Sequence, residues 1–151
     1  METITEKTAE QLKELIVINN DRYEGYKTAA EETKDKDLKA LFTNFSIQSE
    51  QFGNELQNLL PDHKYAPDPG ETKTSGKLYR ILMDMKAALE NKDPKGILSS
   101  CEFGEGEAKK TYDTILEDRE EMDYSLLEII RDQRLSLQNA HDKIKSLLDQ
   151  A

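Results

Sequence analysis

The sequence predicts an all-α protein: four long helices in two antiparallel hairpins, joined by a long crossover that holds one extra short helix. Three observations predict it. Apolar residues recur at spacings of three and four through most of the chain. The breakers, seven Gly and four Pro, cluster in a few places and leave long unbroken stretches. Hydrophobic residues make up 36% and charged residues 34% of 151 residues, which suits a thin core inside elongated amphipathic helices better than a globular α/β enzyme. That length is enough for one domain, 1–151, with a core of its own.

Helix one is expected to start near Thr3, where Thr3 and Glu6 have the spacing of a capping box. Its stripe runs Leu12, Leu15, Ile16, Asn19, Tyr23, Tyr26 and Ala30, with Glu24 turned outward. Gly25, beside Tyr26, would permit a close helix contact. The segment Lys34–Asp37 breaks the pattern, and an Asp there can cap helix two. Helix two places Leu38, Leu41, Phe42, Phe45, Gln48, Ser49, Phe52, Leu56, Leu59 and Leu60 on one face. So short a connection makes helices one and two antiparallel neighbours.

Pro61 to Gly70 holds three prolines and a glycine and reads as a loop, with His63 solvated in it. A short helix follows over about Ser75 to Glu90. Asp93 and Pro94 then read as the N-cap and first residue of the next long helix. That helix carries Ile97, Leu98, Cys101, Gly104, Glu105, Ala108, Tyr112, Ile115 and Leu116 inward and fades near Arg119–Glu121. The last helix faces the core with Leu126, Ile130, Gln133, Arg134, Leu137, Ala140, His141, Ile144 and Leu148. A connection of roughly 30 residues between two hairpins can return the chain along a helix ~36 Å long, and one such crossover is the ferritin-like path.

Four segments sharpen that reading: Asn20-Asp21-Arg22-Tyr23-Glu24-Gly25-Tyr26, Gln51-Phe52-Gly53-Asn54-Glu55-Leu56, Cys101-Glu102-Phe103-Gly104-Glu105 and Ala140-His141-Asp142-Lys143-Ile144. Through them the chain resembles, over nearly its whole length, a family of bacterial ferritin-like four-helix-bundle proteins classed as a domain of unknown function. The resemblance implies a bundle fold and no established activity.

Bulk charge narrows the function. A net charge of −10 disfavours nucleic acid, whose phosphates need Lys and Arg, and anionic membrane surfaces. Its plain reading is solubility, and its functional reading is attraction of cations. A single cysteine, Cys101, excludes an internal disulfide and a multi-Cys metal site. The N-terminus shows no signal peptide and no apolar run reaches membrane-spanning length, so the expected location is cytoplasmic.

Counting residues from the helix one–two turn places Tyr23, Gln48 or Ser49, Glu105, and Gln133 or Arg134 in one mid-bundle layer. Carboxylate-bridged di-metal bundles hold their metals there, using one Glu from each of two helices and Glu-x-x-His from each of the others. Here helix one offers Tyr23, helix two offers Gln48 and Gln51, and Gln138-Asn139-Ala140-His141 keeps a His without the acid. Glu105 remains, and Arg134 is its expected ion-pair partner, with Tyr23 and Gln48 completing the bonds.

No catalytic or cofactor-binding residue is therefore expected and no metal, the candidates for one being Glu105, Glu102 and His141. Cys101 and His141, one turn above the layer, could pair as nucleophile and base or be ordinary core. Tyr23, Tyr26 and Tyr112 read as core residues with a bonded hydroxyl. The expected function is a non-enzymatic bundle acting as a structural, stress-associated or protein-interaction module with a degenerate metal site. The alternative is a metal-binding, di-iron- or manganese-like oxidoreductase or metal-storage relic, with Fe or Mn as cofactor. A homodimer or another protein is the partner either reading allows.

Overall fold

The computed structural model describes residues 4–60, 67, 71 and 94–151. Among them there is no strand, and four helices account for the architecture: α1 (Glu6–Glu32), α2 (Lys36–Gln57), α3 (Pro94–Glu117) and α4 (Tyr124–Gln150). The expected short helix over 75–90, His63 and the Asp93 cap lie outside the described residues, as does Thr3.

Each described boundary has a local cause. Helix α1 starts two residues later than the Thr3 reading, because Thr5 is the N-cap and its side chain accepts from Thr8 N. Asp35 caps α2 by accepting from the backbone N–H groups of Asp37 and Leu38. The α3–α4 turn has neither Gly nor Pro. It is set by the Met122 N–H to Arg119 carbonyl bond and by Asp123, which caps α4 by accepting from Leu126 N. Helix α2 ends at Gln57, short of the expected Leu60, yet Leu59 and Leu60 still pack against the lower core.

Contacts fix the directions. Arg22 bonds Ser49 and Tyr26 stacks near Phe42, so α1 and α2 are antiparallel. Lys7 meets Asp118 while Arg22 meets Glu105, so α1 and α3 are antiparallel too. It follows that α2 and α3 run the same way. Residues from the α3 start and the α4 end share one cluster, and residues from the α3 end and the α4 start share the other, which makes α3 and α4 antiparallel.

The apolar core comes in two parts. An upper cluster gathers Tyr26, Ala29, Ala30, Leu38, Phe42, Ile97, Leu98, Cys101 and Ile144. A lower one gathers Leu12, Leu15, Ile16, Ile18, Leu56, Ala108, Tyr112, Ile115, Leu126, Ile130 and Leu137. Each buried Leu or Ile contributes about 1.5–3 kcal/mol. Buried polar side chains, Asn19, Arg22, Ser49, Glu105 and Gln133, lie between or beside the clusters. Among the described residues no helix is long and apolar enough to cross a membrane.

Candidate functional site: the buried ionic layer

The helical spacing of α3 aligns Cys101, Glu105, Ala108 and Tyr112 on its inward face, and all four are buried. Glu105 is 1% exposed. Its Oε1 accepts three bonds: from Arg22 Nε at 3.0 Å, Arg22 Nη2 at 2.8 Å and the Tyr26 hydroxyl at 2.6 Å. Arg22 Nη1 donates to Ser49 Oγ at 2.7 Å and to the Phe45 carbonyl at 3.3 Å. The guanidinium also lies 5.2 Å from the Tyr26 ring centroid and 5.4 Å from that of Phe45, within cation–π range. A planar cation with five donors and aromatic contacts is the side chain suited to such a place. Glu105 Oε2, also buried, has no hydrogen-bond partner.

A second set of bonds lies toward the lower cluster. Asn19 Nδ2 donates to the Leu15 carbonyl at 2.9 Å and to the Tyr112 hydroxyl at 2.8 Å. That hydroxyl donates to Gln133 Oε1 at 2.7 Å, and Gln133 Nε2 donates to Glu55 Oε1 at 2.8 Å. The two sets together draw on all four helices.

The layer corrects the expected pairing. Glu105 is buried and paired, but its cation is Arg22, not Arg134. Arg134 sits at the α3–α4 edge, where Nε and Nη2 donate to the two carboxylate oxygens of Asp113 at 2.8 and 3.3 Å. Tyr26, not Tyr23, bonds the carboxylate; Tyr23 is half-buried with Lys27 Nζ 5.6 Å over its ring. On α2 the contributing side chain is Ser49, while Gln48 is half-buried with its Oε1 unbonded. The cause is the register of α1. One line of its buried positions runs Leu12, Leu15, Asn19, Arg22, Tyr26 and Ala29, alternating three and four, and this 3.5-residue period keeps Arg22 on the seam. The expected stripe steps four residues from Asn19 to Tyr23, whereas the buried seam steps three, to Arg22.

The remaining candidates stay apart. Glu102 and His141 are half-buried and share no hydrogen bond; His141 Nδ1 is 3.8 Å from Asp142 Oδ1 and unbonded. Glu107 is half-buried. Burial, and then the Glu105 charge, pushes the Cys101 thiol well up, so it stays a protonated thiol and a poor nucleophile. Burial first, then Glu105, likewise raises the Tyr26 hydroxyl, and burial raises that of Tyr112.

Among the described residues no three His, Cys, Asp or Glu side chains form a group that could hold a metal ion. The donor chemistry points the same way. Of the ligands that a di-metal bundle needs, the layer offers one buried carboxylate, Glu105, beside the exposed Glu55, and the guanidinium bonded to Glu105 repels a cation. The described residues of the layer do not fit such a centre.

A model of the family described as a domain of unknown function (DUF2383) matches residues 7–118, and the chain belongs to that family. The match takes in Asn19, Arg22, Tyr26, Ser49, Glu105 and Tyr112, and leaves out α4 with its Ala140–Ile144 segment. No curated protein matches the chain.

Proposed function

We propose that this DUF2383 chain is a non-enzymatic ferritin-like bundle, a structural, stress-associated or protein-interaction module in which an ion pair has taken the place of a mid-bundle metal centre. The parallel run of α2 and α3 supports the ferritin-like path, in which the second and third long helices point the same way. The observation that carries the functional reading is the Arg22 guanidinium on Glu105 Oε1. It fixes and neutralises the buried carboxylate of the layer. A buried thiol kept protonated beside it removes the nearest nucleophile.

The unbonded Glu105 Oε2 favours the second reading, a bundle that still takes up Fe or Mn. Elemental analysis separates the two. Protein purified from Fe- and Mn-rich medium is expected to carry no stoichiometric metal. Stoichiometric metal that Glu105→Gln abolishes, with the helical content unchanged, would overturn the first reading.

A further inference from the structure

We propose that the groove where the start of α1 passes the end of α3 binds a linear polyamine. Lys7 Nζ donates to Asp118 Oδ1 at 2.6 Å and Gln11 Nε2 donates to the Asp118 carbonyl at 2.8 Å, which ties the two segments together. Beside these ties lies an open groove of about 550 Å³. It follows one side of α1 from Lys7 to Val17, a rise of roughly 15 Å. Its charged lining residues are Lys7, Lys13, Glu10, Glu14, Glu71 and Asp118, two cations against four acids, or a net charge of −2. Acids alone make a solvated face; the residue that points to a ligand is Gln11. Gln11 is 9% exposed and lines the groove. Its amide N–H is used on Asp118, and its Oε1 is buried without a hydrogen-bond partner. A buried acceptor left without a donor costs stability until a donor reaches it.

Charge and geometry select the occupant. A carboxamide oxygen among surplus carboxylates calls for a cation that donates hydrogen bonds. An anion meets the wrong sign. A hard metal ion needs its oxygens gathered round one point, and among the described residues no three His, Cys, Asp or Glu side chains form such a group. The acids are strung out instead: Glu10 and Glu14 are one turn apart on α1, and Asp118 comes from just past the end of α3. Ammonium groups separated by methylenes match carboxylates spaced in this way, and the methylenes can lie on Val17 and on the apolar stems of Lys7 and Lys13. Glu10 is exposed and makes no ion pair among the described residues, so Glu10 and Gln11 Oε1 are the assigned contacts. Glu14 and Glu71 have partners within the chain and add to the negative field. Lys7 is matched by Asp118 at 2.6 Å and Glu121 at 3.7 Å. The chain's net charge of −10 draws a polycation from a distance. The groove shares no residue with the Arg22–Glu105 layer, so this inference and the proposed function can fail separately.

Isothermal titration of the full chain with spermidine and with magnesium chloride, at low salt, tests it. The expected result is saturable one-to-one binding of spermidine that weakens as salt is added. Glu10→Gln is expected to weaken it about fivefold and Gln11→Leu about tenfold. Glu31→Gln removes the same charge from an exposed position at the far end of α1 and should leave binding unchanged. Thermal melts report that the variants fold, and Glu10→Gln, an exposed change, carries the test if Gln11→Leu does not. Three outcomes would overturn the proposal. One is no saturable binding of spermidine. Another is an equal loss in Glu31→Gln and Glu10→Gln, which would mean diffuse attraction to the whole chain. The third is displacement of spermidine by magnesium beyond what sodium does at equal ionic strength, which would make the groove a metal site.

Discussion

Arg22 and Glu105 are the residues on which the middle of the bundle turns, at 5% and 0% side-chain exposure. Removing one partner leaves a buried charge without its counter-charge, a loss of about 3–5 kcal/mol. Replacing both with apolar residues of similar volume also removes the unbonded Oε2, whose burial costs about 1–3 kcal/mol. Urea denaturation of Arg22→Met, Glu105→Leu and the double variant should show the double variant less destabilised than either single. A double variant that loses the sum of the two singles would mean that the pair is not coupled. Glu105 was legible in the sequence, because an acid on a run of inward positions demands a partner. The identity of the partner was not. Arg134 lies as near the core face in spacing as Arg22 does, and only the seam of α1 distinguishes them.

At the scale of one helix, α3 is the element that carries the site and also its weakest propensity. Gly104 and Gly106 sit in its interior, where glycine costs about 0.5–1 kcal/mol relative to alanine. A Cβ added at either position meets nothing within 4 Å. Gly104→Ala with Gly106→Ala should therefore raise stability by roughly 1–2 kcal/mol, read as a higher urea midpoint at unchanged slope. A lower midpoint would show that another chain segment packs closely there. The helices themselves were legible because a stripe of apolar residues at three–four spacing runs through each. The α1 start and the α2 end shifted by a few residues, since caps are decided by single side chains such as Thr5, while the apolar stripe continues past them through Leu59 and Leu60.

Across the whole molecule, the two hairpins followed from the short connections alone. The common direction of α2 and α3 is now carried by contacts between residues far apart in sequence, such as Arg22 with Glu105. The polar layer between two apolar clusters makes burial of protonated groups a property of the entire fold, and pH should report it. Tyr26, Tyr112 and Cys101 are all raised above their ordinary values, chiefly by burial. Ordinary values are about 10 for Tyr and 8.5 for Cys. As pH rises past those values, the unfolded chain releases protons that the folded chain keeps. The folded state then binds more protons, and stability falls with rising pH. The contribution is whole below about pH 8.5 and declines above it, by up to about 1.4 kcal/mol per pH unit for each group. Tyr112→Phe removes one such group, and with it the bonds to Gln133 and from Asn19, at about 1 kcal/mol each at neutral pH. Urea midpoints from pH 7 to 11 should show the variant weaker at pH 7 and declining less steeply above pH 10. If its decline matches that of the wild type, Tyr112 is not held protonated between the four helices.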